Sequence, residues 1–397
     1  MDSPIRISRK VVLPDRIKIE RYLKVPELGP KILFFSGGTA LKDLSSQLIN
    51  FTHNSIHLIT PFDSGGSSAK IRDAFNMLAV GDLRNRLMAL ADKSVKGNPD
   101  IYELFAYRLP EEGERKVLIQ ILYEMLWDEH PLIAIIRNPM KKLILNNIKY
   151  FIENMPSSFD LRGANIGNII LTGGYINNHH EIDTVLYLFS RLVEVRGIVR
   201  PTLEDLYHLV AELEDGRVIV GQHLITGKES QPISSPIKRI FISKLGSIDQ
   251  ESKVKISTTI ESHITKSDLI CYPMGSFFSS VIANLIPVGV GEAVASNDCP
   301  KVYIPNSTHD PEQISMSLLN SVHWILDTLR KGNQDIKNED LLNFIILDTQ
   351  NGHYPYSLNL EEIKNLGIGI IDTNLITKSS APYINSDLLI RVLLSLT

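Results

Sequence analysis

Cysteine is scarce in this chain of 397 residues, and long hydrophobic runs are missing. The two cysteines, Cys271 and Cys299, lie among apolar residues and cannot form the disulfide framework of a small secreted domain. The N-terminal residues lack the apolar core of a signal peptide, and no apolar run has the length needed to span a bilayer. We therefore expect a protein of the cytoplasm that does not interact with a membrane.

An excess of positive charge is also missing. The chain has 41 lysine and arginine residues against 45 aspartate and glutamate residues, a formal net charge of -4. Nucleic-acid binding usually requires a basic face, so we expect no nucleic-acid partner. The hydrophobic content of 43% and the charged content of 22% are ordinary for globular proteins, and they exclude a disordered or fibrous class.

Two consecutive segments each read as a buried strand, a glycine-rich turn and an amphipathic helix. The apolar run 31–35 ends in Ser36-Gly37-Gly38-Thr39, after which leucines recur at helical spacing. Residues 55–60 form a second run, followed by a turn at 63–68 and a helix over 69–78. This alternation predicts an α/β fold, a Rossmann-like three-layer structure with a mostly parallel sheet.

The pattern of apolar and polar residues changes along the chain and suggests a division into segments. We expect a lead-in with an edge strand over 1–30 and a Rossmann-type domain over 31–331, which resumes as strands after residue 238. Within that domain, residues of about 101–155 read as a helical insertion. Residues of about 206–226 read as a small antiparallel hairpin turning at Asp215-Gly216. Residues 332–397 are expected to be a C-terminal extension packed on the sheet.

The turn after the first strand is a candidate anion site. Gly37 and Gly38 let the backbone approach a phosphate, and Thr39 adds a hydroxyl near the start of a helix, whose unpaired N–H groups favour anions. An ordinary capped turn is an equally good interpretation of these residues alone. The turn is neither G-x-G-x-x-G nor a Walker sequence, so the usual dinucleotide and P-loop readings fail.

The loop at 63–68 carries more chemistry. Its glycines and hydroxyls offer donors to an anionic group, and Asp63 offers a carboxylate that can bind magnesium or accept from a hydroxyl. Arg72 lies on the helix that this loop opens and favours a functional role over a simple Asx turn. The binding residues predicted from this loop are Ser64, Gly65, Gly66, Ser67 and Ser68.

Three further loops contribute candidates. Asp82 is placed to cap a helix, whereas Arg84 and Asn85 in the same first turn suggest a nearby anion, because a cation is unfavourable there. A capping pattern gives Asn165, Gly167 and Asn168, and a hydroxyl-rich loop gives Gly275, Ser276 and Ser279. Serine hydrolase chemistry is set aside because G-x-S-x-G is missing and no histidine is assigned to Ser276.

Taken in order, these loops resemble the CofD/YvcK family, which comprises 2-phospho-L-lactate transferases and the related gluconeogenesis-factor proteins. The order is kept from about Lys31 to Lys331, and the pattern is closer to the gluconeogenesis-factor branch. That branch usually carries two adjacent aspartates where this chain has Asp63 and Ser64. Asn306 keeps an asparagine of the family.

The resemblance implies a phosphorylated or nucleotide-linked small molecule as partner. In one reading the chain is a 2-phospho-L-lactate-type transferase, with Asp63 holding Mg²⁺ or the acceptor hydroxyl, while Arg72 and Arg84 neutralise phosphate charge. In the other it is a non-catalytic regulator that binds a nucleotide sugar with the same loops. Mg²⁺ is the cofactor implied, no redox prosthetic group is expected, and members of the family commonly form homo-oligomers.

Overall fold

The computed structural model describes residues 10–94, 97–227, 231–244 and 250–397. Its centre is a parallel seven-stranded sheet with the order β10-β9-β8-β7-β1-β2-β3. The strands are β1 (Ile32–Ser36), β2 (Ile56–Ile59), β3 (Ile198–Pro201), β7 (Leu269–Tyr272), β8 (Lys301–Tyr303), β9 (Phe344–Leu347) and β10 (Gly369–Asp372). The predicted α/β class with a mostly parallel sheet is confirmed.

Strand β1, which lies between β7 and β2, is buried on both faces, and this explains its continuous apolar sequence. Leu33 and Phe35 belong to one hydrophobic cluster, with residues of the helical segments 258–265 and 277–285. Ile32 and Phe34 belong to another cluster, with leucines of the helical segments 42–48 and 386–396. Side chains alternate between the two faces of a strand, so this split produces the three-layer arrangement.

Helices cover both faces of the sheet. Those in the first half of the chain are α1 (Arg16–Lys24), α2 (Lys42–Leu48), α3 (Gly66–Phe75), α4 (Gly81–Ala89), α5 (Pro99–Ala106), α6 (Arg115–Leu126), α7 (Pro131–Ala134), α8 (Met140–Asn154), α9 (Ile166–Asn177) and α10 (Ile182–Leu192). Those in the second half are α11 (Gln222–Thr226), α12 (Thr258–Thr265), α13 (Ala283–Leu285), α14 (Val290–Ala295), α15 (Leu318–Leu329), α16 (Leu360–Asn365) and α17 (Ser386–Leu396). Residues Phe277–Ile282 form a π-helical segment before α13.

The N-terminal segment differs from expectation. Residues 16–24 form helix α1 and not an edge strand, because Asp15 caps the helix by accepting from the Lys18 N–H at 3.0 Å. Ile19 anchors α1 in the cluster that contains α17. The first nine residues of the predicted lead-in lie outside the described residues.

A small antiparallel sheet of order β5-β4-β6 stands beside the parallel one. Strands β4 (Tyr207–Leu213) and β5 (Val218–Val220) form the hairpin expected around Asp215-Gly216, and Gly216 takes a φ of 87° that favours glycine. Strand β6 (Ile237–Lys244) adds a third member. Helix α11 follows β5 directly, so the appendage delivers α11 to the edge where the loops of the parallel sheet meet.

The segment after residue 331 supplies β9 and β10, two strands of the parallel sheet itself. It also supplies α17, whose Leu389 and Leu393 pack in one cluster with Leu44 and Leu48 of α2. Among the described residues, no helix combines the length and the apolar character required to cross a membrane.

Candidate ligand-binding site

A cleft of about 180 Å³ lies beyond the carboxyl ends of β1, β2 and β7. Strands β1 and β7 are hydrogen-bonded neighbours although they are far apart in sequence, so this edge is a topological switch point. The loops after all three strands and helix α11 form its walls. The lining residues are Ser36, Gly37, Gly38, Thr39, Ala40, Asp63, Gly65, Asp82, Gln222, His223, Thr226, Met274, Gly275, Ser276, Ser280 and Val281.

Two carboxylates, those of Asp63 and Asp82, line this cleft. A β-carbon built on Gly81 would lie 3.3 Å from Asp63 Oδ2, so Asp63 reaches back towards the start of α4. The expectation that Asp82 caps that helix is not met, because the capping position is Val80 and no side chain caps it. Asp82 stands in the first turn of α4 and faces the glycine turn after β1.

The glycine turn is fixed from behind by Arg86, a fully buried residue that the sequence analysis did not single out. Its guanidinium donates to the Gly37 carbonyl at 2.8 Å and to the hydroxyls of Ser36 and Ser45. Burial lowers the pKa of Arg86 to about 10. Asn284 adds a bond from its Nδ2 to the Ser36 carbonyl at 3.1 Å, so the turn is held on two sides.

The loop after β2 contacts helix α11. Asp63 Oδ1 accepts from the Gly65 N–H at 3.3 Å, which is the Asx turn expected from the sequence. Ser64 Oγ lies 2.8 Å from His223 Nδ1, and it also accepts from the His223 N–H at 3.3 Å. His223 is not predictable from the sequence, because 159 positions separate it from Ser64 and no local pattern marks it.

The loop after β7 is shaped by Asn306. Asn306 Oδ1 accepts from the Gly275 N–H at 2.8 Å, and its Nδ2 donates to the Gly275 carbonyl at 2.7 Å. Gly275 has a φ of 142° and lines the cleft together with Ser276. Asn306 therefore positions this part of the wall and is not itself among the lining residues that the structure describes.

Ser279 points into the protein and away from the cleft. Its hydroxyl donates to Glu312 Oε1, and its N–H donates to Glu312 Oε2 at 2.9 Å. Glu312 is 1% exposed. Burial, and then the charge of Asp310, raises the pKa of Glu312 to about 7. Ser279 and Glu312 thus set the start of the π-helical segment whose Ser280 and Val281 line the cleft.

Arg72, which the sequence placed against the ligand, is 3% exposed and occupied elsewhere. Its guanidinium donates to the carbonyls of Pro61 at 3.1 Å, Asp63 at 3.5 Å and Tyr207 at 2.9 Å. A buried planar guanidinium needs several acceptors at once, and these carbonyls supply them. The geometry makes Arg72 a brace for the Asp63 loop and for β4.

Most of the other residues predicted from the 63–68 loop do not line the cleft. Ser68 is buried, and its Oγ would lie 2.2 Å from a β-carbon on Gly81. Ser67 Oγ accepts from Asn168 Nδ2 at 3.4 Å, and Gly66 turns the chain into α3 with a φ of 46°. Of this loop, Asp63 and Gly65 are the members that line the cleft.

The predicted residues at the start of α9 support the fold. Asn165 caps the helix by accepting from the Asn168 N–H at 3.1 Å, and its Nδ2 donates to the Tyr107 carbonyl at 3.1 Å. A β-carbon on Gly167 would lie 2.8 Å from Arg84 Cδ, so this glycine leaves space for the Arg84 side chain. Asn165, Gly167 and Asn168 therefore do not line the cleft, and they support α9 and the position of Arg84.

Arg84 and Asn85 do not line the cleft described above. They line a second pocket, which contains Gly38 and Thr39 on its other side. The glycine turn after β1 therefore stands between two pockets, one with Asp63 and Asp82 and one with Arg84. The candidates taken from the sequence divide between the two and do not converge on a single point.

The charged side chains that line the cleft are mainly acidic. Its described lining residues include two aspartates and one histidine, and neither lysine nor arginine is among them. Mg²⁺ is commonly bound through one or two carboxylates, with water and substrate phosphates completing its shell. The described residues hold no cluster of three or more metal-ligating side chains that would form a closed protein cage. Asp63 and Asp82 fit the more open mode of binding.

Comparison with known proteins places the chain in a family. The profile described as 2-phospho-L-lactate transferase CofD matches residues 32–376. The gluconeogenesis factor of Bacillus subtilis is 26% identical over 363 residues, which span 88% of this chain and 92% of the relative. That of Listeria monocytogenes is 28% identical over 286 residues, spanning 70% of this chain and 67% of the relative.

A solved structure supports the fold. The crystal structure of a member of the upf0052 family from Bacillus halodurans superposes with a TM-score of 0.68 at 22% identity, covering 92% of this chain and 99% of that one. The resemblance was expected to end near Lys331, but the profile match extends to residue 376 and includes β9 and β10. On these matches, the chain belongs to the CofD family.

Proposed function

We propose that this protein binds a phosphorylated or nucleotide-linked metabolite together with Mg²⁺ in the cleft at the ends of β1, β2 and β7. The observation that carries the proposal is the pairing of Asp63 and Asp82 with a glycine turn in one cleft. The turn offers backbone N–H groups to an anion, whereas the two carboxylates repel it. Asp63 and Asp82 would hold a divalent cation, which would supply the positive charge that offsets this repulsion.

In the first candidate activity, the protein transfers a phosphorus-containing group of the 2-phospho-L-lactate type, as the family description names. The metal, when bound, neutralises charge on the phosphate. Asp63 and Asp82 hold it, and the Gly37-Gly38 turn orients the phosphate. Asn306 keeps the Gly275–Ser276 wall in place on the opposite side. Helix α11 adds Gln222, His223 and Thr226 to the lining.

The second candidate is a non-catalytic regulator that binds a nucleotide sugar, and a specific observation favours it. Ser64 stands where the gluconeogenesis-factor pattern usually has a second aspartate, and its hydroxyl is engaged with His223. The cleft therefore has one acidic group fewer after β2 for holding a metal. The relatives named gluconeogenesis factor agree with this candidate.

The test is a thermal-shift panel of nucleotide sugars, guanosine diphosphate derivatives and an activated phospholactate donor, each with and without Mg²⁺. A ligand that binds only the folded state raises the melting temperature by mass action. We expect at least one compound to act only with Mg²⁺, and Asp63→Asn and Asp82→Asn to remove the response. Asp335→Asn, an exposed substitution away from the cleft, should keep it.

A panel in which no phosphorylated compound stabilises the wild type would refute the proposal. The two candidates are then separated by adding a deazaflavin acceptor to the activated donor and analysing the products by mass spectrometry. Product that forms with the wild type and not with Asp63→Asn supports the transferase. Magnesium-dependent binding without product supports the regulator.

A further inference from the structure

A second pocket of about 330 Å³, here called the Arg84 pocket, opens on the other side of Gly38 and Thr39. Its other lining residues are Lys42, Arg84, Asn85, Met88, Ala89, Tyr102, Ala106 and Arg108. Three of these carry positive charge, and no carboxylate is found among the lining residues that the structure describes. The Arg84 pocket is therefore basic where the neighbouring cleft is acidic.

Arg84 is buried although its donors are only partly satisfied. It is 7% exposed, its Nε is buried without a hydrogen-bond partner, and its Nη1 reaches the Phe105 carbonyl only at 3.4 Å. Its Nη2 donates to Asn85 Oδ1 at 2.5 Å. Burial of a cation is costly unless its donors are satisfied and its charge is balanced. In the described structure this balance is incomplete, which is expected of a site that receives an anion.

The surrounding residues maintain this arrangement. Gly167 leaves room for the Arg84 stem, since a β-carbon there would lie 2.8 Å from Arg84 Cδ. Burial, and then repulsion from Arg108, lowers the pKa of Arg84 to about 10. Lys93, which is not itself a lining residue, places its Nζ 4.9 Å from the centre of the ring of Tyr102, which is one. Like charges gathered in this way are stabilised by a shared anion.

We propose that the Arg84 pocket binds a phosphate group through Lys42, Arg84 and Arg108, without a metal. Guanidinium groups form paired hydrogen bonds with phosphate oxygens, and the ammonium group of Lys42 adds a point charge. The inference goes beyond the proposed function, because neither Asp63, Asp82 nor Mg²⁺ takes part in it. A ligand with two separated phosphate groups is the kind that reaches both pockets across Gly38 and Thr39.

The experiment measures pyrophosphate binding by calorimetry at low salt in the presence of a chelator, so that no divalent cation takes part. We expect binding to the wild type and to Arg137→Gln, a control for an exposed arginine away from the pocket. Lys42→Gln and Arg108→Gln, both at exposed positions, should each weaken binding about tenfold. Asp63→Asn should bind as the wild type does or more tightly.

Several results would overturn the inference: no pyrophosphate binding without metal, equal affinity in Lys42→Gln/Arg108→Gln and wild type, or loss of binding in Asp63→Asn. Equal binding of acetate would also overturn it, because the pocket would then not select phosphate. Failure here leaves the magnesium-dependent response of the cleft intact. Failure of the cleft proposal leaves chelator-resistant binding intact, so the two are distinguished.

Discussion

A β-carbon at position 38 would lie 2.1 Å from Oδ1 of Asp82 and 2.9 Å from its Cα. Only glycine therefore fits at position 38 when the β1 turn packs this closely against the first turn of α4. The same turn is bonded to Arg86, which lies about one helical turn after Asp82 on α4 and donates to the Gly37 carbonyl. The β1 turn and α4 are thus one assembly, and the carboxylate of Asp82 is presented by it.

Gly38→Ala should therefore displace Asp82. We expect a loss of about 1–3 kcal/mol in the free energy of unfolding, as for other overpacked sites, and a loss of the magnesium-dependent ligand response. Urea denaturation and the thermal-shift assay measure the two effects. Combined with Asp82→Ala, the substitution should cost less than the sum of the single changes; additive costs would show that the clash lies elsewhere.

Asn306→Ala should loosen the loop after β7 while leaving the cleft carboxylates of Asp63 and Asp82 in place. Both bonds to Gly275 are lost, and we expect a destabilisation of about 1–3 kcal/mol with weaker ligand binding that still requires Mg²⁺. Urea denaturation and ligand titration check this. Asn146→Ala, at an exposed position of α8, serves as the control and should change neither quantity. Unchanged ligand affinity in Asn306→Ala would remove the loop from the site.

The fold could be predicted because it is encoded locally. Apolar runs such as Ile32–Ser36, ended by glycine turns and followed by residues at helical spacing, occur several times along the chain. Each such segment indicates its own secondary structure without reference to distant residues. The prediction of an edge strand in the N-terminal segment is wrong because Asp15 caps a helix there, so basic and apolar residues that also suit a strand form α1.

The site could be predicted only in part, because its chemistry depends on approaches between distant segments. Asp82 resembles a capping residue in sequence, and its contact with the Gly38 turn emerges only when β1 and α4 are packed. Arg72 resembles a phosphate ligand, yet its guanidinium donates to the carbonyls of Pro61, in the loop after β2, and of Tyr207, at the start of β4. His223 has no local signal at all, since the appendage carries it to Ser64.

Gly167→Ala tests whether space for Arg84 is what this glycine provides. The added methyl would meet Arg84 Cδ and the Phe105 carbonyl at 2.6 Å, so we expect a loss of about 1–3 kcal/mol and weaker pyrophosphate binding. Gly174→Ala on the same helix is the matched control, because its β-carbon would meet only side-chain atoms at 3.1 Å or more. Equal effects of both substitutions would indicate a general response of α9.

Glu312 should make the stability of the protein depend on pH. Its pKa of about 7 in the folded state lies above the usual value of 4.5, so between these values the folded state binds more protons than the unfolded state. The stabilisation is complete below about pH 4.5 and is lost as the pH rises to about 7. Chemical denaturation at a series of pH values measures this decline.

Glu312→Gln removes the titration while its carbonyl can still accept from the N–H groups of Phe278 and Ser279. We expect the free energy of unfolding of this variant to fall less between pH 5 and pH 8 than that of the wild type. Glu129→Gln, at an exposed position, should reproduce the wild-type curve. Parallel curves for Glu312→Gln and the wild type would contradict the prediction. They would mean that the pKa of Glu312 is the same in the folded and unfolded states.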